Sequence, residues 1–170
     1  MNRQLLVEQM PGLRRYARAL AGDAWAADDL VQDTLERACT KWQLWVVGTD
    51  LRAWLFTVMH NLYLNQRRGA AAHLAAVSID EAEMELPAAA AACDEALDLD
   101  RCLKRLPAEQ RAVLLLVTLE DMSYEDTAKV LSIPVGTVMS RLSRARSRLR
   151  ELMDGAPPRQ QPSVPLRRLK

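Results

Sequence analysis

Apolar residues recur at helical spacing in three stretches of this chain and lapse between and after them. The first stretch runs from about Leu5 to Arg68 as "LLVEQMPGLRRYARAL", "DDLVQDTLERACTKW" and "LRAWLFTVMHNLYLNQRR". In its second segment Leu30, Val31, Thr34, Leu35 and Ala38 fall on one side of a helix wound at 3.6 residues per turn. In its third, Leu51, Leu55, Val58 and Leu62 make the buried stripe, and Trp54 is read as core. Between them "WVVGTD" supplies Gly48 for a loop and Thr49 or Asp50 as a helix N-cap.

From Gly69 to Ala92 the pattern fails. Alanines and acids alternate with too few large apolar side chains to build a core, so this segment reads as a linker with local helical tendency. Periodicity returns from Asp94 to about Asp154. Pro107 suits a helix opening, and Ala112, Val113, Leu115, Leu116 and Leu119 follow as a broad apolar face. Ser123 and Asp126 have capping-box spacing, with Tyr124, Ala128 and Leu131 at i, i+4 and i+7. After the break "SIP", Val135, Val138, Leu142, Ala145, Leu149 and Leu152 line one side of a last helix. The tail from 155 to 170 is proline-rich and polar, and is read as disordered. The pattern predicts an all-α chain: a helical domain over 1–69, an acidic linker over 70–93, a second helical domain over 94–154, and the tail. At about sixty residues, each domain stands near the lower limit for an independent core.

Composition sharpens this picture. Hydrophobic residues make up 49% but aromatics only 5%, so the cores are expected to be aliphatic. The net charge of +1 conceals three blocks: 9 basic against 7 acidic residues over 1–70, none against 8 over 71–100, and 14 against 7 over 101–170. The basic excess concentrates in "SIPVGTVMSRLSRARSRLR", where five arginines stand without an acid before Glu151. Gly136, Ser140, Ser143, Arg144 and Ser147 lie opposite the apolar stripe, with Thr137, Arg141 and Arg148 along one edge. Two helices joined by a tight turn, the second rich in arginine and opening on small residues, form the helix-turn-helix pattern. Small side chains let the helix N-terminus approach base edges, while arginine forks bind guanine or phosphate. A merely solvating cationic face would carry interleaved acids.

The first domain carries different chemistry. Asp29, Gln32, Asp33 and Glu36 share the exposed side of their helix, a row that repels phosphate but suits a basic protein surface. The following helix presents Asn61, Asn65 and Arg67 beside aromatic residues, which suits unstacked single-stranded bases. Cys39, Cys93 and Cys102 are odd in number, show no CxxC spacing and do not group with His60 or His73, so neither a metal site nor a cofactor is expected. No carboxylate cluster or phosphate-cradling loop suggests an enzyme. No apolar run is long enough to span a bilayer and no signal-peptide pattern opens the chain, so the expected compartment is the cytoplasm.

The motifs "DDLVQDTLERA", "LRAWLFTVMHNLYLNQRR" and "LPAEQRAVLLLVTLEDMSYEDTAKVLSIPVGTVMSRLSRARSRLRE", in this order, resemble a bacterial sigma factor of the extracytoplasmic-function (ECF) group, which keeps sigma domains two and four only. The resemblance covers about residues 5–153. It implies that Asp29, Gln32, Asp33 and Glu36 dock on a coiled coil of the RNA polymerase β′ subunit, with β as a further contact of the core enzyme. It implies that Trp45, Gly48, Thr49, Asp50, Asn61, Asn65 and Arg67 open and hold the promoter −10 element. Gly136, Thr137, Ser140, Arg141, Arg144 and Arg148 are the implied readers of the −35 element. Core polymerase, promoter DNA and an anti-sigma factor, often membrane-associated in the family, are the implied partners. The acidic linker would lie in a channel that normally carries RNA. "WVVGTD" is more apolar than many loops of the family, and His60 stands where smaller residues are common. A stand-alone helix-turn-helix regulator and a sigma mimic that titrates an anti-sigma factor are the alternatives, and both leave part of the pattern idle.

Overall fold

The computed structural model describes residues 3–45, 50–77 and 95–154, and every regular element among them is helical. The helices are α1 (Arg3–Ala21), α2 (Ala24–Thr40), α3 (Leu51–Val77), α4 (Glu95–Lys104), α5 (Ala108–Thr118), α6 (Tyr124–Leu131) and α7 (Val135–Met153), with a 3-10 turn over Trp42–Leu44. Thus α3 runs on through the opening of the segment expected as linker. The rest of that segment, the tail, and Gly48 and Thr49 of the expected −10 loop lie outside the described residues.

Local chemistry sets the boundaries. Asp23 accepts a hydrogen bond from the amide of Ala26 at 2.8 Å and caps α2. Asp50 caps α3 by accepting from the amides of Arg52 and Ala53 at 2.9 and 3.2 Å. Ser123 caps α6 through the amide of Asp126 at 3.0 Å, and its hydroxyl also donates to the Asp126 carboxylate at 2.8 Å. Pro107 and Pro134 stand one position before the first helical residue of α5 and α7, as N-caps with extended ψ. Ser132 ends α6 in the left-handed region, at φ 54°, and the Ile133 amide reaches back to the Ala128 carbonyl at 3.0 Å. This Schellman-type reversal makes the tight turn between α6 and α7.

Two cores form. The smaller belongs to the C-terminal half alone and packs Leu106, Val113, Leu114, Ala128, Val138, Leu142 and Ala145 together. The larger is shared: Leu13, Tyr16, Leu20, Leu30, Leu55, Phe56 and Met59 from α1–α3 pack against Ala112, Leu115, Leu116, Met122 and Val130 from the C-terminal half. Tyr16 and Phe56 meet edge to face at its centre, with ring centroids 5.3 Å apart. The two halves therefore pool apolar surface that neither holds in abundance.

This pooling corrects the expected stripe of α3. Leu55 is fully buried, but Leu51, Val58 and Leu62 are only half-buried, while Ala53, Phe56, Met59, His60 and Tyr63 are buried. The helix packs against α1 and α2 on one flank and α6 on another, so its buried arc is wider than one stripe and is rotated from it. On α5, Leu114 joins the buried face and Leu119 is left 36% exposed, because this short helix packs against both cores.

Candidate functional site

The exposed face of α2 is ordered by its own side chains. Gln32 donates to Glu36 at 3.2 Å, and Gln66 of α3 donates to Asp33 at 3.1 Å. Asp29, Gln32 and Glu36 are exposed and Asp33 is half-buried. Trp25 heads the same face, four residues before Asp29, and is 86% exposed. An indole held out in water at one end of an acidic row has the composition of a protein-docking patch, since buried aromatics dominate interface energetics. Beside it, between α1 and α2, lies a groove with Met10, Val31 and Leu35 between Arg14 and Arg18 on one side and Gln32 and Glu36 on the other.

At the far end of α2, Trp42, Trp45 and Trp54 gather around the entry to α3. The Trp42 and Trp45 rings lie 5.0 Å apart, and Trp42 meets Trp54 edge to face at 6.5 Å. The indole N–H of Trp45 is buried without a partner. Asp50 is committed to capping α3, which leaves it one acceptor oxygen free of that task. Asn61 and Asn65 stand one turn apart on the exposed side of α3, and Arg67 covers the Tyr63 ring at 5.9 Å. Of the residues expected to handle the −10 element, Trp45 and Asp50 thus flank the loop, while Asn61, Asn65 and Arg67 lie farther along α3.

On α7, Gly136, Ser140, Ser143, Arg144, Arg146, Ser147 and Arg150 are exposed, opposite buried Val138, Leu142 and Ala145. The Ser140 hydroxyl donates to the Thr137 carbonyl at 3.1 Å. Adding a Cβ at Gly136 would meet nothing within 4 Å, so the helix start is open to a close approach. Two expected DNA contacts are engaged inside the protein. Arg141 pairs with Glu109 of α5 at 2.6 Å, and Arg148 approaches Glu151 at 3.5 Å. The edge of α7 that carries Arg141 faces α3 across a cavity of about 170 Å³ lined by His60, Tyr63, Leu64, Ala112, Leu131 and Ile133. Burial pushes the His60 imidazole down to about 4, and its Nδ1 has no partner.

Polar contacts also join the halves. Arg111 of α5 donates to the Tyr63 hydroxyl at 3.2 Å. Glu120, just beyond α5, is fully buried and receives Arg15 of α1 and Arg52 of α3 at 3.2 and 2.8 Å. Burial pushes the neighbouring Tyr16 phenol far above its usual range.

Comparison with known proteins resolves what these surfaces belong to. Residues 6–60 match the family described as the sigma2 domain of PhyR, and residues 96–149 match sigma-70 region 4. The chain is 37% identical over 154 residues to the ECF RNA polymerase sigma factor EcfG of Rhodopseudomonas palustris, covering 89% of this chain and 85% of that protein. It is 39% identical to the ECF sigma factor SigL of Mycobacterium tuberculosis, covering 87% and 86%. The chain belongs to the ECF sigma factors. Among solved structures, this ECF sigma factor is similar to the sigma factor RpoE of Bartonella quintana, crystallised with the anti-sigma factor NepR. The TM-score is 0.77 at 36% identity, covering 89% of this chain and 96% of that one. It is also similar to CnrH, solved with the cytosolic domain of CnrY, at TM-score 0.66 and 27% identity, covering 89% and 86%. Among the described residues of this sigma factor, no helix is long and apolar enough to cross a membrane.

Sequence reasoning missed Trp25, Arg15, Arg52 and Glu120. Trp25 was legible, because it stands at i−4 from Asp29 and outside every apolar stripe. The other three carry no local signal, since they meet only across 105 and 68 residues of sequence.

Proposed function

We propose that this sigma factor loads onto core RNA polymerase through the α2 face, aims the enzyme at its promoters through α7, and stabilises the opened −10 segment with α3 and the loop before it. The observation that carries this reading is the division of charge within one ECF sigma chain: an ordered acidic face on α2, and an exposed arginine face on α7 opening at Gly136. Trp25, Asp29, Gln32, Asp33 and Glu36 form the docking patch, with Trp25 as its apolar anchor. The basic partner is the polymerase β′ coiled coil. On α7, Gly136, Thr137, Ser140, Arg141, Arg144 and Arg148 read the −35 element, each good bidentate arginine–guanine pair giving about 1–3 kcal/mol of discrimination. The Trp42, Trp45 and Trp54 cluster stiffens the entrance to α3, so that Trp45 to Asp50 and Asn61 can hold an unpaired base. Asn65 and Arg67 extend that surface along the backbone, and the acidic linker lies in the RNA channel. The chain does no catalysis of its own and works in the cytoplasm.

An anti-sigma factor holds the protein in reserve. The related sigma factor of Bartonella quintana was crystallised with one, and its fold matches this chain over nearly all of both. Purified core polymerase tests the central claim. Asp29→Lys with Asp33→Lys should lower polymerase affinity at least roughly a hundredfold, as expected for removing the centre of an interface, and abolish promoter-specific transcription in vitro. Unchanged loading would overturn the reading in favour of a regulator that works without polymerase.

A further inference from the structure

We propose that Glu120 is a latch: its carboxylate, seated wholly in the other half of the molecule, holds the two halves closed in an arrangement that cannot engage a promoter and so restrains loading onto polymerase. The inference rests on the sigma-factor function proposed above.

The seat is built for a carboxylate. Arg15 grips Glu120 with both ends of its fork, Nε to Oε1 and Nη2 to Oε2, each at 3.2 Å. Arg52 Nη2 donates to Oε2 at 2.8 Å and to the Glu120 carbonyl at 2.6 Å, while its guanidinium lies 5.6 Å from the Phe56 ring centroid. Gly12 completes the seat. A Cβ there would stand 2.8 Å from Oε2, so the carboxylate occupies space that only glycine leaves open. Asp121 turns the chain at φ 49° directly after Glu120. Every one of these partners belongs to α1 or α3, and Glu120 itself belongs to the C-terminal half.

A carboxylate of this kind is satisfied in two states. When closed, it is paired with two arginines; when open, water hydrates all three groups. Removing one partner of a buried ion pair leaves the other charge buried and unpaired, which is strongly destabilising. A single substitution in this seat therefore favours the open form, where water hydrates what remains. Only an apolar replacement of all three groups together would favour closure at all times.

Closure matters because of length. The −10 and −35 elements lie about 25 base pairs apart, or roughly 85 Å at 3.4 Å per step. A compact body of about 150 residues has a radius of gyration of roughly 15 Å and a diameter of roughly 40 Å. With α6 packed on α3, the surface at α7 and the surface at Trp45 and Asp50 cannot reach both elements together. Opening must precede or accompany promoter binding. The α2 face is exposed in the closed form as well, so closure restrains loading because polymerase must hold the two surfaces at promoter spacing. The apparent affinity is then that of the open form multiplied by the fraction open.

The experiment uses the full chain as wild type and as Glu120→Gln, Arg52→Met, Arg15→Met and Gly12→Ala. Small-angle scattering reads compactness without polymerase, and titration with purified core polymerase reads loading. Each variant should enlarge the radius of gyration and tighten apparent binding roughly 3- to 10-fold. Glu120→Gln combined with Arg52→Met should change little more than either alone. Expansion by Glu120→Gln but by none of the other three would mean a local role in the turn and would overturn the latch. Expansion without tighter loading would overturn the restraint. Unchanged compactness in all four would overturn the proposal outright. If the wild type fails to bind polymerase at all, the functional reading fails, and scattering still judges closure by itself.

Discussion

Trp25 and His60 show what a single side chain contributes to a molecule of this size. An indole 86% exposed gains little in the free protein, so Trp25→Ala should leave the melting temperature within about a degree, as for a surface substitution. It should nevertheless weaken core polymerase binding roughly tenfold or more, as expected at an aromatic anchor. His60 acts through protons. Its folded pKa of about 4 lies below the ordinary 6.5, so the unfolded chain takes up a proton first as the pH falls. The stability it allows is complete above pH 6.5 and is lost between 6.5 and about 4, reaching about 2 kcal/mol by pH 5. The cavity in front of it holds Tyr63, Glu109 and Arg141, and desolvation alone drives the shift. Thermal melts at pH 7 and pH 5 should therefore diverge more in the wild type than in His60→Gln.

Among the helices, capping and burial decide what survives a mutation. Ser123→Ala removes the cap of α6 and should cost about 1 kcal/mol, read as a lower denaturant midpoint with an unchanged slope. On α7, Arg144 is exposed while Arg141 is held by Glu109, so the two arginines should fail differently. Arg144→Ala should weaken promoter binding by the holoenzyme, whereas Glu109→Ala should release Arg141 and alter binding at one −35 position only. Much at this level was legible in the chain: the helices, the cap at Ser123 and the buried line of α7 follow from spacing, and Asp50 was one of two candidates for the cap of α3. The α3 stripe was not, because periodicity reports a helix with one buried side and this helix has neighbours on two. The expected loop residues Gly48 and Thr49 lie outside the described residues, whereas Trp45 and Asp50 bound that loop and Asn61, Asn65 and Arg67 of the candidate −10 surface stand on α3.

Taken whole, the chain unites two halves that sequence reading separates. The separation came from composition, since the alanine-rich acidic segment contributes no large apolar surface and so marks a boundary. Contact across that boundary depends on shape, which no local pattern encodes. Leu116 and Val130 lie in the same core as Leu13 and Phe56, so the folded chain should melt in a single cooperative transition despite its two-part plan. Calorimetry checks this: two resolved peaks would show that the shared core does not couple the halves. The same core also implies that covalent continuity is dispensable for association. Polypeptides spanning 1–77 and 95–154, expressed apart and mixed, should recombine into one closed particle, and with no chain between them that particle should come apart rather than open where a promoter needs its two surfaces at a distance.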